Sequence, residues 1–188
     1  MKLYETIRMK ESTIVKNLYQ TAMQDAAGEA NFPQLLLREA LLPELLGEDQ
    51  GAITYWAGKS LARRFPVGNP QDASAFFAQA GFGTLTMVKQ TAQSTRWQLS
   101  GDIVRLRKTL SGDEAFTLEA GFLAEMMAQQ LGVAAEAELV DTPRKLQNQA
   151  VTFEVYTDPT DVIPDYDAPQ PLTINHPESM TDDDATTD

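Results

Sequence analysis

The chain has 188 residues, 43% of them apolar and 22% charged, enough for one compact domain and too few for two of ordinary size. Asp and Glu number 27 against 15 Lys and Arg, a formal charge of -12, which argues against a uniformly basic nucleic-acid-binding surface. There is no cysteine and one histidine, His176, so disulfides, thiolate nucleophiles, sulfur-ligated zinc and multi-histidine metal clusters are excluded.

At the N-terminus, Lys2 is followed by too few apolar residues before Glu5 to make a secretory leader. No window approaches the roughly 18 apolar residues of a membrane span. Cytoplasmic residence is therefore expected. Residues 1–30 read as an N-terminal extension or weak helix, with Ile14, Val15, Leu18 and Met23 spaced for a helix over roughly 13–24.

Asn31 to Gly47 reads as a helix, with Asn31 as cap and Pro33 in the first turn. Pro43 should end or kink it. Its leucines cover more than one face, whereas a surface helix needs a single apolar stripe. Leu36, Leu37, Leu41, Leu42 and Leu45 are therefore candidates for an interface, either between layers or with a second subunit.

A further helix is predicted from Asp49 to about Phe65, with Ile53, Ala57, Leu61 and Phe65 on one face and Gly58 and Ala62 thinning the other flank. Trp56 stands apart beside Lys59 and Arg63, in a small basic patch with Arg64. Asn69 and Pro70 open a short helix over 71–80, and Gly81 and Gly83 close it.

The period then changes to two. A strand is predicted over 83–91, and Trp97 and Leu99 alternate with Arg96 and Gln98 in the next. Ser100-Gly101-Asp102 turns or bulges the chain, and Ile103 to Arg107 continue in strand style. Ser111 and Glu114 have the spacing of a capping box before a central helix over 116–131, closed by Gly132. Ala120, Gly121 and Ala124 let another element approach it closely. Strands over 133–141 and 150–156 finish the domain. This order favours an α+β domain, a twisted antiparallel sheet of about four or five strands packed with helices, over parallel crossover units.

The single domain is set at 31–156. From Thr157 to Asp188 there are nine acids, no Lys or Arg, and five prolines, so this acidic tail is expected to be disordered or laid over the surface.

No nucleophile elbow, phosphate loop or dinucleotide fingerprint is present. A triad would have to recruit His176 from the tail. Glu136 with Glu138 reads as a wet strand face, and Asp182-Asp183-Asp184 lacks the spacing and glycine of a calcium loop. No catalytic residue, cofactor or metal site is assigned. Glu119 is the one acid in an odd position, inside the apolar arc of the central helix. Arg105 or Arg107 could pair with it, or it escapes to water in the first turn.

Three stretches, Ile53 to Pro66, Trp97 to Arg105 and Phe116 to Ala124, together resemble the YslB-like family of Firmicutes. That family is similar to four-vinyl-reductase-type small-molecule-binding domains and to TRAPP tethering-complex subunits. The resemblance covers roughly residues 30–156. It implies a TRAPP-subunit-like fold, dimerisation through helices and an apolar cavity. The acylated cysteine of the tethering subunits has no counterpart in a chain without cysteine.

The resulting expectation is a non-enzymatic cytoplasmic protein that binds a small apolar ligand in an internal cavity, the candidate wall residues being Trp56, Phe76, Phe77, Trp97, Glu119, Phe122, Met126 and Met127. The alternative is a homodimeric protein-protein interaction scaffold without a ligand. Neither reading involves nucleic acid or a transmembrane segment.

Overall fold

The computed structural model describes residues 17–164 and 166–176. The expectations for residues 1–16, and those for Asp182, Asp183 and Asp184, fall outside these. In chain order the elements are α1 (17–22), α2 (Ala26–Leu35), α3 (Leu42–Leu46), α4 (Gln50–Arg64), α5 (Pro70–Gln79), β1 (Thr84–Gln90), β2 (Ser94–Ser100), α6 (Asp102–Ser111), α7 (Thr117–Leu131), β3 (Val133–Val140) and β4 (Ala150–Val162).

The strands form one antiparallel sheet in the order β1-β2-β4-β3, four strands among the described residues. Register places Trp97 opposite Phe153 and Leu99 opposite Val151, so one face is apolar. The helices pack there, and Leu123 and Met126 of α7 share a buried cluster with those strand residues. The opposite face is polar. On it, Arg96 pairs with Glu154 and the Tyr156 hydroxyl donates to Glu138. An antiparallel sheet tolerates such a wet face because its ladder already satisfies the backbone.

Side chains from the helices reach both sheet edges. Ser74 Oγ of α5 donates to the Leu85 carbonyl of β1 at 2.7 Å. On β3, the Ala137 amide donates to the Tyr55 hydroxyl at 3.0 Å, and Lys59 Nζ donates to the Ala135 carbonyl at 3.3 Å. Edge groups left bare would be a template for another strand.

The helix expected from Asn31 starts earlier, at Ala26. Asp25, not Asn31, caps α2 by accepting from the Gly28 amide at 2.8 Å, and Pro33 lies inside the helix. Before Pro43 the chain passes through a π-helical stretch, Leu36–Leu41. Pro43 has no N–H, and its ring would crowd the carbonyl four residues back, so the wider turn relieves both and α3 begins with proline in its first turn. The helical path therefore continues through Pro43. Leu18 and Ala22 of α1 are buried in the same core.

Two further expectations are corrected. Ile103 to Arg107 are helical, not strand. Gly101, at φ +116°, ends β2, and Ile103, Val104, Leu106 and Arg107 are the buried residues of α6. Spacings of one, three and four fit one helix face, and so short a run alternates equally well. Ser111 does not cap the central helix; it is the last residue of α6, and its hydroxyl donates to Glu39.

On α4 the packed face is one residue round from the predicted stripe. Thr54, Gly58, Lys59 and Ala62 are buried, while Ile53 and Phe65 are exposed. The cause is the crossing with α7. A Cβ on Gly58 would lie 2.0 Å from the Leu118 carbonyl oxygen, and one on Gly121 would lie 1.9 Å from that of Tyr55. Only paired glycines allow this approach.

At the C-terminal side, β4 runs on to Val162, through residues assigned to the tail. Pro159 is accommodated where the register with β3 slips between Val133 and Ala135, at an irregular edge where proline is tolerated.

Candidate functional site

The most unusual chemistry in the fold is a buried ionic cluster. Arg107 of α6 is 1% exposed and donates through Nε to Glu39 at 2.6 Å and through Nη1 to Glu119 at 2.8 Å. Its Nη2 donates to the Ala115 carbonyl. Arg38 donates to the same Glu119 oxygen at 2.8 Å. The Arg107 guanidinium lies over the Phe116 ring, 4.3 Å from its centroid.

The fold brings these groups in from three places. Arg38 and Glu39 stand in the π-helical stretch, Arg107 on α6, and Glu119 in the first turn of α7. Two cations and two anions enclosed together leave no net charge, the condition under which burial of ions is tolerable.

Glu119 is wholly buried. Burial alone would raise its carboxyl, but the guanidiniums of Arg107 and Arg38 outweigh that and hold it below the ordinary glutamate range. Its Oε2 has no hydrogen-bond partner among the described residues. Of the two arginines offered by the sequence, Arg107 makes the pair and Arg105 does not. Arg105 instead lies 3.5 Å from Asp25 and Asp102 at the surface. Arg38 and Glu39 were missed, although a charged pair inside a leucine run was a visible signal.

A second polar group ties α4 to β3. Glu136 accepts from Lys59 Nζ at 2.6 Å and from the Tyr55 hydroxyl. Burial opposes its charge, but these two donors hold its carboxyl below the ordinary range. The same burial pushes the Tyr55 phenol up.

The expected cavity residues separate into groups. Phe76 stacks on Phe122 with centroids 5.1 Å apart, and Phe77 meets Phe122 edge-on at 5.4 Å. Met126 and Met127 are buried on α7, and Trp97 is buried on β2 with its indole N–H unpartnered among the described residues. Glu119 belongs to the ionic cluster. Trp56 is apart from all of these, exposed on α4 with Lys59 Nζ 5.3 Å from its ring.

The hollows on the described surface include the following three. One of about 450 Å³ lies where β2 meets α6, beside Gln98, Arg105 and Gln149. Another of about 230 Å³ is bordered by Glu39, Ser111 and Gly51, at the outer side of the ionic cluster. The third, of about 220 Å³, lies between Val67, Gln129 and Pro169.

The interface candidates lie on the outside. Leu36, Leu37, Leu41 and Leu45 are 45%, 54%, 46% and 68% exposed, and Leu42 is half-buried. Leu37, Leu41 and Leu45 are spaced four apart along one helical path, opposite the side that carries buried Leu35 and Glu39.

Fold and site together define a two-layer antiparallel α+β domain with a buried ionic cluster and a leucine-rich outer ridge. No helix among the described residues is long and apolar enough to cross a membrane. A family model described as a protein of unknown function (DUF2507) matches residues 31–156, and the chain belongs to that family. It is 39% identical over 121 residues to the uncharacterized protein YslB of Bacillus subtilis (strain 168), a match covering 64% of this chain and 78% of the relative. Among solved structures, a trafficking protein particle complex subunit 3 from Naegleria fowleri, covalently bound to palmitic acid, is 11% identical, with a TM-score of 0.31 over 84% of this chain and 97% of that one. That score is too low to define a shared fold.

Proposed function

We propose that this is a non-enzymatic cytoplasmic interaction protein that self-associates through the ridge of Leu37, Leu41 and Leu45. One observation carries the reading: three leucines at a spacing of four stand about half exposed or more on one helical path. Leucines on a wet helix face are ordinarily scattered, and a continuous row of them marks a contact surface. A row on one helix can meet its own copy across a two-fold axis, which is how most homodimers form.

The ligand-binding reading has less support. The Phe122 ring meets those of both Phe76 and Phe77, Trp97, Met126 and Met127 are buried in the same cluster, and Trp56 is at the surface. The three hollows described above have other linings.

Sedimentation equilibrium tests the proposal. The full chain is expected to be a dimer at micromolar concentration, and Leu41→Glu with Leu45→Glu is expected to give a folded monomer. A monomeric parent chain, or a charged double variant that dimerises as well as the parent, would overturn it.

A further inference from the structure

Residues 166–176 run across the surface beyond the sheet and follow a groove between the C-terminal end of α7, the α4–α5 turn and α5. The Tyr166 hydroxyl donates to the Gln129 carbonyl, and its ring lies over Gly132. The Leu172 amide donates to the Pro66 carbonyl at 2.9 Å. The Pro171 ring occupies the space that a Cβ on Gly68 would contest, at 3.0 Å. Farther along, Gln79 donates to the Asn175 carbonyl at 2.6 Å, and His176 Nε2 lies 2.7 Å from an oxygen of Asp72.

Most of these contacts read main chain and proline rings. The segment Ala168-Pro169-Gln170-Pro171-Leu172 suits that role, because each residue before a proline is driven to extended backbone. An extended segment so restricted loses little freedom when it docks.

Two observations show the segment to be a light and incomplete occupant. Only Tyr166, Pro169 and Ile174 are even half-buried, and the rest is exposed. About 220 Å³ stays open between Pro169, Val67 and Gln129, and Gln129 carries a buried side-chain oxygen without a partner among the described residues. The groove residues all fall within the span matched by the family, 31–156, whereas the segment lies beyond it.

We infer that this groove is a docking site for an extended Pro-x-Pro-apolar segment of a partner protein, and that residues 166–176 hold it in cis as a removable strap. The tether gives the strap a high effective concentration, so a free segment of equal fit is shut out until the strap is weakened. The inference is independent of the leucine ridge, which lies on other elements.

The test uses the full chain and a fluorescent peptide of residues 166–176, read by anisotropy. Leu172→Pro removes the donor to Pro66, and His176→Ala removes the contact with Asp72. The doubly substituted chain is expected to bind the peptide at least about tenfold more tightly than the parent. Adding Gly68→Val, at an exposed position in the groove floor, should abolish the gain. Three results would overturn the inference: no gain from weakening the strap, a gain that survives Gly68→Val, or exchange of straps between copies in place of peptide binding.

Discussion

Gly58 and Gly121 mark a reciprocal crossing of two helices, each glycine set against the backbone of the other's helix. Gly58 on α4 faces the Leu118 carbonyl, and Gly121 on α7 faces that of Tyr55. Helix propensity alone favours alanine at both sites by about 1 kcal/mol. Overpacking opposes it, and a methyl placed about 2 Å from a carbonyl oxygen cannot be absorbed by moving a side chain. Gly121→Ala should therefore destabilise the domain by about 1–3 kcal/mol net. A lowered urea midpoint at unchanged slope checks this; an unchanged midpoint would show that the helices separate freely.

The ionic cluster predicts an asymmetry between deletions. Arg107→Met leaves Glu39 and Glu119 without their shared cation and should cost about 3–5 kcal/mol. Glu119→Gln keeps the shape and an acceptor for both arginines, so it should cost less. Chemical denaturation of the two variants decides the order, and equal losses would argue that the cluster acts only as filler.

Acid sensitivity follows from the same residue. Glu119 sits below its ordinary value in the fold, so protons bind the unfolded chain more readily. Its stabilising contribution is complete above the unfolded glutamate pKa, about 4.3, and is lost as pH falls on through the lower folded value. The advantage of the parent chain over Glu119→Gln should shrink over that window. Urea midpoints measured from neutral pH down to about 3 would reveal it.

Tyr55→Phe removes the hydroxyl that receives the Ala137 amide and binds Glu136. The loss should be about 1 kcal/mol, concentrated at the β3 edge. Faster amide exchange at Ala137, with little change in the interior of β2, is the expected signature.

Much of this architecture could be read from periodicity. The paired small residues of α4 and α7, the alternation of Trp97 with Leu99, and the closing Gly132 all lie where local pattern and packing agree. Reading failed where two patterns fit the same residues. Ile103 to Leu106 suit a strand or a helix, and the positive φ at Gly101 decides between them. Pro43 suggested an end or a kink because the widened turn that accommodates it has no signature in propensity. The partner of Glu119 was half legible. Arg107 is twelve residues away and could be weighed, whereas Arg38 is 81 residues away and meets Glu119 only once the π-helical stretch and α7 have packed. The leucine row was visible as surplus grease, but composition could not tell which of its members would face outward.

Because helical side chains latch the outermost strands, lateral growth of the sheet by an incoming β-segment is discouraged on both flanks. Association is thereby steered toward the helical side of the molecule, and crowding should favour defined assemblies there over fibrillar stacking.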